Sequence, residues 1–229
     1  MSRRYLLLIA LVLSGVSFSL SAQNLPPGAP VQAGKIKVAC VGNSITFGYG
    51  IKNRDSLSYP ADLQRMMGNK YDVRNFGVSG RTLLKKGDHP YWKEKAFQQV
   101  QQWKPDVVVI LLGTNDTKPW NWKYGDEFGA DYTNLLEVFK KLPSHPEIWA
   151  ALPVPVFKHN KYGIRDSVVK VEIPIIRKVA RTEDVHIMNL YRALRPYGND
   201  FFDGVHPDKT GAHYLAKAVY KQIRHHKRL

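Results

Sequence analysis

Pro105 is followed by Asp106 and then by Val107-Val108-Val109-Ile110-Leu111-Leu112, six apolar residues without a polar break. Side chains of a strand alternate between two faces, so a strand with no polar face must be covered on both sides. That is the mark of a central strand in a parallel sheet packed between helices. The run ends at Gly113-Thr114-Asn115-Asp116. Every other segment must therefore supply a neighbouring strand, a covering helix or a connection between them.

The flanking sequence meets that demand. Lys35 to Val41 reads as a first strand, Tyr71 to Phe76 as a second, Glu147 to Leu152 as a fourth and Val185 to Leu190 as a fifth. Between them lie helical patterns. Ser58 caps one to Met67, with Pro60 in its tolerated first turn and Gly68 closing it. Another runs from about Lys93 to Trp103, and a third from Asp126 to Leu142. A fourth, from Asp166 to Arg181, contains Pro174, which predicts a kink or two pieces. The last begins after His206-Pro207 and runs to about Arg224. Asn53 to Leu57, Thr117 to Gly125 and Pro153 to Arg165 read as loops, the last as one wall of a cleft. Strands alternating with helices imply right-handed βαβ units and a five-stranded parallel sheet. The predicted fold class is α/β, a three-layer α/β/α sandwich of flavodoxin-like character. No G-x-G-x-x-G opens the segment after the first strand, which disfavours a dinucleotide-binding fold.

The amino terminus has a different logic. Arg3 and Arg4, the apolar run from Tyr5 to Leu13 and small residues ending at Ser21-Ala22 follow the order of a secretory signal peptide. Residues 1–22 are expected to be removed, 23–34 to form a Pro-rich extended leader, and 35–229 to form one domain. With no cysteine near the cut to carry a lipid, the expectation is an exported protein, periplasmic or secreted, without a stable membrane anchor. The single Cys40 forms no internal disulfide and, lying in the first strand, reads as a small buried hydrophobe. A formal charge of +15 favours acidic partners. The basic residues are scattered, and no nucleic-acid module is present, so an acidic glycan is the expected polyanion and nucleic acid is not.

Chemistry is expected where the strands end, because ligands of open parallel sheets bind outside the carboxyl ends of the strands. Ser44 stands there, two residues past the first strand, in Gly42-Asn43-Ser44-Ile45-Thr46. A serine nucleophile needs a base, a group that holds the base, and donors for the oxyanion. His206, in Asp203-Gly204-Val205-His206-Pro207, is the base candidate. Pro207 biases it toward an extended conformation, and Asp203 lies within reach across one turn. The backbone amides of Ser44 and Gly80 and the side-chain amide of Asn115 are the candidate oxyanion donors. Read singly, each has an ordinary alternative: a capping serine, a turn glycine, an asparagine satisfying its own loop.

Together, Gly42-Asn43-Ser44-Ile45-Thr46, Asn75-Phe76-Gly77-Val78-Ser79-Gly80, Gly113-Thr114-Asn115-Asp116 and Asp203-Gly204-Val205-His206-Pro207 resemble in order and spacing the four signature blocks of the SGNH (GDSL-like) hydrolases. That resemblance implies a serine esterase needing no metal or other cofactor. Ser44 would be its nucleophile, Asp203 and His206 the rest of its triad, and Gly80 and Asn115 oxyanion donors with the Ser44 amide. The family usually carries Asp where this chain has Asn43, which is expected to hydrogen-bond around the serine turn and to lie among the residues near substrate. The G-x-S-x-G elbow of α/β-hydrolases is absent. In the loop Thr117 to Tyr124, Trp120 and Trp122 offer a stacking platform for a sugar, with Lys118 and Lys123 placed for an acidic group; the alternative is that these aromatics pack the loop down. The similarity leans toward bacterial carbohydrate O-acetylesterases, including those acting on sialates. The alternatives are a lysophospholipase or thioesterase of the same family, and a non-catalytic glycan-binding protein on the same scaffold.

Overall fold

The computed structural model describes residues 34–226. The expected signal peptide and nearly all of the expected leader lie outside them. Five strands form one parallel sheet: β1 (Ile36–Gly42), β2 (Tyr71–Gly77), β3 (Val107–Leu111), β4 (Glu147–Ala151) and β5 (His186–Met188). Their spatial order is β2-β1-β3-β4-β5, every pair parallel. This is the doubly wound order in which the chain reverses direction across the sheet between β1 and β3, and a crevice opens there.

Alternate strand residues feed two cores. Ala39, Val41, Val108, Ile110, Ile148 and Ala150 face one layer, formed by α4 (Lys95–Trp103), α6 (Phe128–Lys140) and α7 (Asp166–Thr182). Val38, Cys40, Val107, Val109, Leu111, Trp149 and Ala151 face the other, formed by α3 (Tyr59–Met67), α8 (Leu190–Leu194) and α9 (Lys209–His226). All five β3 side chains are completely buried, as the unbroken apolar run requires. Burial of each such large apolar side chain stabilises the fold by roughly 1.5–3 kcal/mol. Cys40 is buried too, and desolvation pushes its thiol up to about 12, so it behaves as a small hydrophobe. Among the described residues no helix is long and apolar enough to cross a membrane.

Several segments differ from the sequence expectation. The stretch from Pro119 to Trp122 is a short helix, α5, and Arg54–Leu57 another, α2, where loops were expected. Helix α7 runs unbroken through Pro174 over 17 residues, so the two-piece expectation fails. A proline removes one helical hydrogen bond, but Val169 and Ile176 on either side are fully buried, and that anchorage carries the helix across the gap. After β5 the chain forms α8 (Leu190–Leu194) and a 3₁₀ segment over Arg195–Asp200, broken at Tyr197; both are far shorter than the roughly 11–18 residues over which helical periodicity can be read from sequence.

Register brings the loops that matter to one level. Gly42 pairs with Gly77 on one side and with Leu111 on the other. The ends of β1, β2 and β3 are therefore aligned, and Ser44, Gly80 and Asn115 follow them within a few residues.

Candidate active site

Ser44 opens α1 (Ser44–Phe47), a single helical turn seated on the end of β1. Asn43 caps it, its Oδ1 accepting from the Ile45 amide at 3.1 Å. Gly42 makes the sharp entry possible, since a Cβ there would lie 2.1 Å from Thr46 Oγ1 and 2.8 Å from the Leu111 carbonyl. Asn75 braces the turn from β2, donating to the Thr46 carbonyl at 2.8 Å while accepting from the Gly77 amide at 2.9 Å. Asn43 is fully buried. Its Oδ1 serves the cap while its Nδ2 makes no hydrogen bond, and it is not among the residues that line the cleft described below, so the geometry gives it a place under the serine turn and not the expected one beside substrate.

The segment from Phe201 to Pro207 folds back on itself through an antiparallel bridge between those two residues. The Phe157 amide donates to the Gly204 carbonyl at 2.9 Å, tying this loop to the 153–165 segment. Asp203 Oδ1 accepts from the amides of Val205 at 2.9 Å and His206 at 2.8 Å. Its other oxygen, Oδ2, lies 2.7 Å from His206 Nδ1, and His206 Nε2 lies 2.8 Å from Ser44 Oγ.

Charge fixes the tautomer. Burial alone would raise the Asp203 carboxyl, but hydrogen bonds from His206 and the two amides outweigh it and hold Asp203 below its ordinary value. An ionised carboxylate only accepts, so the proton on Nδ1 must belong to the histidine. Nε2 is left as the acceptor for the serine hydroxyl. Burial pushes the imidazole below 6.5, prevailing over the opposing pull of Asp203. The histidine is only 4% exposed, walled by Tyr49 at 4.7 Å, Tyr162 at 5.2 Å and Phe202 at 6.1 Å between ring centroids.

The other two blocks converge on the same point. Gly80 has φ of +83° and no atom within 4 Å of where a Cβ would stand, so its backbone is open toward the cleft. Asn115 Nδ2 donates to the Arg81 carbonyl at 3.0 Å, which spans the two loops and fixes the plane of the amide. Asp116 accepts from the Leu83 and Leu84 amides at 3.0 and 2.7 Å, joining the same loops from below. Burial pushes this carboxyl up to about 7. Asn121, buried and not singled out by the sequence, donates to the Asn115 carbonyl at 2.9 Å and to Asp88 at 3.0 Å.

A cleft of about 130 Å³ joins these groups, lined by Ser44, Gly80, Asn115 and His206 together with Tyr49, Lys118, Tyr162 and Ile164. Tyr162 and Ile164 come from the loop expected to form a wall. Tyr49 had no signal in the sequence. Trp120 is half exposed, its Nε1 donating to Asp88 at 2.9 Å and its ring lying over Gly163, beside the two wall residues. Trp122 turns the other way and packs on Phe128 with centroids 5.7 Å apart, so it belongs to the core and does not line the cleft. Its place on α5 decides this: two residues apart on a helix point to different sides. Among the described residues no cluster of side chains suits a metal ion.

Chemically, a hydroxyl hydrogen-bonded to a neutral imidazole, itself held by a carboxylate, can lose its proton as it attacks an acyl carbon. The sequence profile of the GDSL-like Lipase/Acylhydrolase family matches residues 40–214, and the chain belongs to that family. It is 40% identical over 208 residues to an acetylxylan esterase of Xylanibacter ruminicola, covering 82% of this chain and 43% of that protein. It is 23% identical over 251 residues to a multidomain esterase of Ruminococcus flavefaciens, covering 92% of this chain and 32% of that one. The chain thus spans less than half the length of these curated relatives. A carbohydrate acetylesterase from Sinorhizobium meliloti has the same fold, with a TM-score of 0.69 at 18% identity over 83% of this chain and 99% of that one.

Proposed function

We infer that this protein is a serine esterase that removes acetyl groups from an O-acetylated polysaccharide, and that it acts outside the cytoplasm after its first residues are cleaved. The observation that carries this reading is the unbroken line Ser44–His206–Asp203, with links of 2.8 and 2.7 Å. Ser44 attacks the ester carbonyl while His206 takes its proton. Asp203 keeps the imidazole in the productive tautomer and balances the imidazolium. The oxyanion is met by the amides of Ser44 and Gly80 and by Asn115 Nδ2. His206 then protonates the leaving sugar hydroxyl, and water, activated by the same imidazole, releases acetate.

The small cleft and the 40% identical acetylxylan esterase favour an acetylated plant polysaccharide over a sialate or a long-chain lipid. The exposed ring of Trp120 lies over Gly163, which joins the cleft residues Tyr162 and Ile164 in sequence, and this supports a role in holding the sugar that bears the ester. Acetyl esters of a chromogenic alcohol should be cleaved at least about tenfold faster in kcat/KM than octanoyl esters, a discrimination within reach of a close-fitting acyl pocket. Preference for octanoyl would favour the lysophospholipase or thioesterase reading. Acetate release from acetylated xylan, pectin and sialic acid identifies the substrate, with xylan expected first and no release from any of them contrary to the proposal.

Two further results are expected. Asn115→Ala should lower kcat by about 10²–10³, the usual loss for one oxyanion donor, with little change in KM. The activity of the free enzyme requires neutral His206, whose proton affinity is depressed, so kcat/KM should fall only as pH drops through a midpoint below 6.5. A midpoint above 7 would contradict the assignment of His206 as base.

A further inference from the structure

A second and larger cleft, about 450 Å³, lies between α8 and α9. Its lining includes Arg192, Lys217 and Lys221 with Tyr197, Tyr214 and Asn189, and no carboxylate. The three cations are exposed, and among the described residues none has an acidic partner within ion-pair distance. Two lysines on other helices stand one turn from a carboxylate and pair with it, Lys141 with Glu137 and Lys170 with Asp166. Lys217 and Lys221 are instead one turn from each other, a like-charge arrangement that costs α9 a few tenths of a kcal/mol.

The aromatic pair beside them has its own geometry. Tyr197 and Tyr214 stack at 3.9 Å with their planes 17° apart, and both are only partly buried. A neighbouring trough lined by Met66, His213, Tyr220 and the same two lysines continues the surface across α9. Arg224 extends the basic row, donating to the Tyr220 hydroxyl at 2.9 Å. Lys217 and Lys221 stand eight and twelve residues into α9, about 12 and 18 Å along the axis from the end that adjoins the His206 loop, and the cleft shares no lining residue with the ester cleft.

We propose that the α8–α9 cleft is a non-catalytic binding site for a polysaccharide chain carrying carboxylates, that is, one with uronic acid units. Singly spaced cations meet the carboxylates, and the tyrosine surface meets the apolar faces of the sugar rings. Holding the polymer there raises the local concentration of its acetyl esters near Ser44 without a new contact at the reacting atoms. The polymer as ligand rests on the polysaccharide reading above, whereas the anionic character of the site rests on the cleft alone.

The test is affinity electrophoresis of the full chain in gels containing deacetylated glucuronoxylan, which offers no ester to the catalytic cleft. The wild type should be retarded, less so at higher salt, and not by the same polymer after its carboxyl groups have been reduced. The triple variant Arg192→Gln, Lys217→Gln, Lys221→Gln should bind about tenfold more weakly, the combined effect of three solvent-screened ion contacts. Its hydrolysis of a small chromogenic acetate should equal that of the wild type, which also shows that it is folded. Undiminished retardation of the variant, equal binding of the carboxyl-reduced polymer, or tighter binding to anionic phospholipid vesicles or a short RNA would each overturn the proposal. If the wild type binds as expected but hydrolyses no ester, the catalytic reading fails and this site stands.

Discussion

Ser44→Ala is expected to lower kcat by about 10⁵–10⁶ while leaving the fold unchanged, the scale seen when a nucleophile that works as one unit with its base is removed. The oxygen is deleted from a position where it makes one described hydrogen bond, to His206 Nε2. The turn that carries it does not depend on the side chain: Asn43 caps α1 and Asn75 braces it from β2. Thermal unfolding of the variant should therefore match the wild type within a few degrees. Retention of even a hundredth of the activity in a pure sample would point to another nucleophile.

Asp203→Asn should cost about 10⁴ in kcat with little effect on KM. An asparagine can preserve the shape of the loop, since its carbonyl oxygen can still accept from the amides of Val205 and His206. It then presents its NH₂ to Nδ1. Two donors cannot face each other, so the imidazole takes the other tautomer, with its proton on Nε2 directed at Ser44 Oγ. The base becomes a donor toward the group it must deprotonate. The loss comes from a misplaced proton, so a pH series should fail to restore the rate in the neutral range. A loss below tenfold would mean that Asp203 only supports the loop.

Much of this arrangement was legible before any coordinates. The apolar run of β3 demanded a two-sided sheet, and strand ends with Gly, Ser and Asn marked one edge of it. Asp203 and His206 are readable as a pair because they stand three positions apart and Pro207 stiffens the exit. Residues acting through long-range packing were not readable. Tyr49 and Tyr162 wall the histidine from separate loops, and no local spacing announces that convergence. Asn121 looked like a loop residue, yet it is the buried tie between Asn115 and Asp88. Trp120 and Trp122 were indistinguishable as a pair until α5 turned one outward and the other onto Phe128. Asn43 can be a cap or a neighbour of substrate as far as the sequence goes, and the structure shows the cap, made by Oδ1 of a fully buried side chain.

Asp116 shows a related limit. Its side chain joins the Asn115 block to the loop after Gly80, and burial pushes it up to about 7. In sequence it was only the residue following a candidate oxyanion donor. The structure gives it a positioning task that no spacing argument contains, because its partners are backbone amides more than thirty residues away.

The central claim is that Ser44 is a nucleophile activated by His206. Titration with an organophosphonate ester, followed by mass mapping of the modified peptide, tests it most directly. The account predicts one equivalent of label on Ser44, loss of esterase activity in proportion to labelling, and labelling slowed at least about a hundredfold in His206→Ala, as befits an alcohol without its base. Label on a different residue, or full activity in a protein whose Ser44 is quantitatively modified, would contradict it.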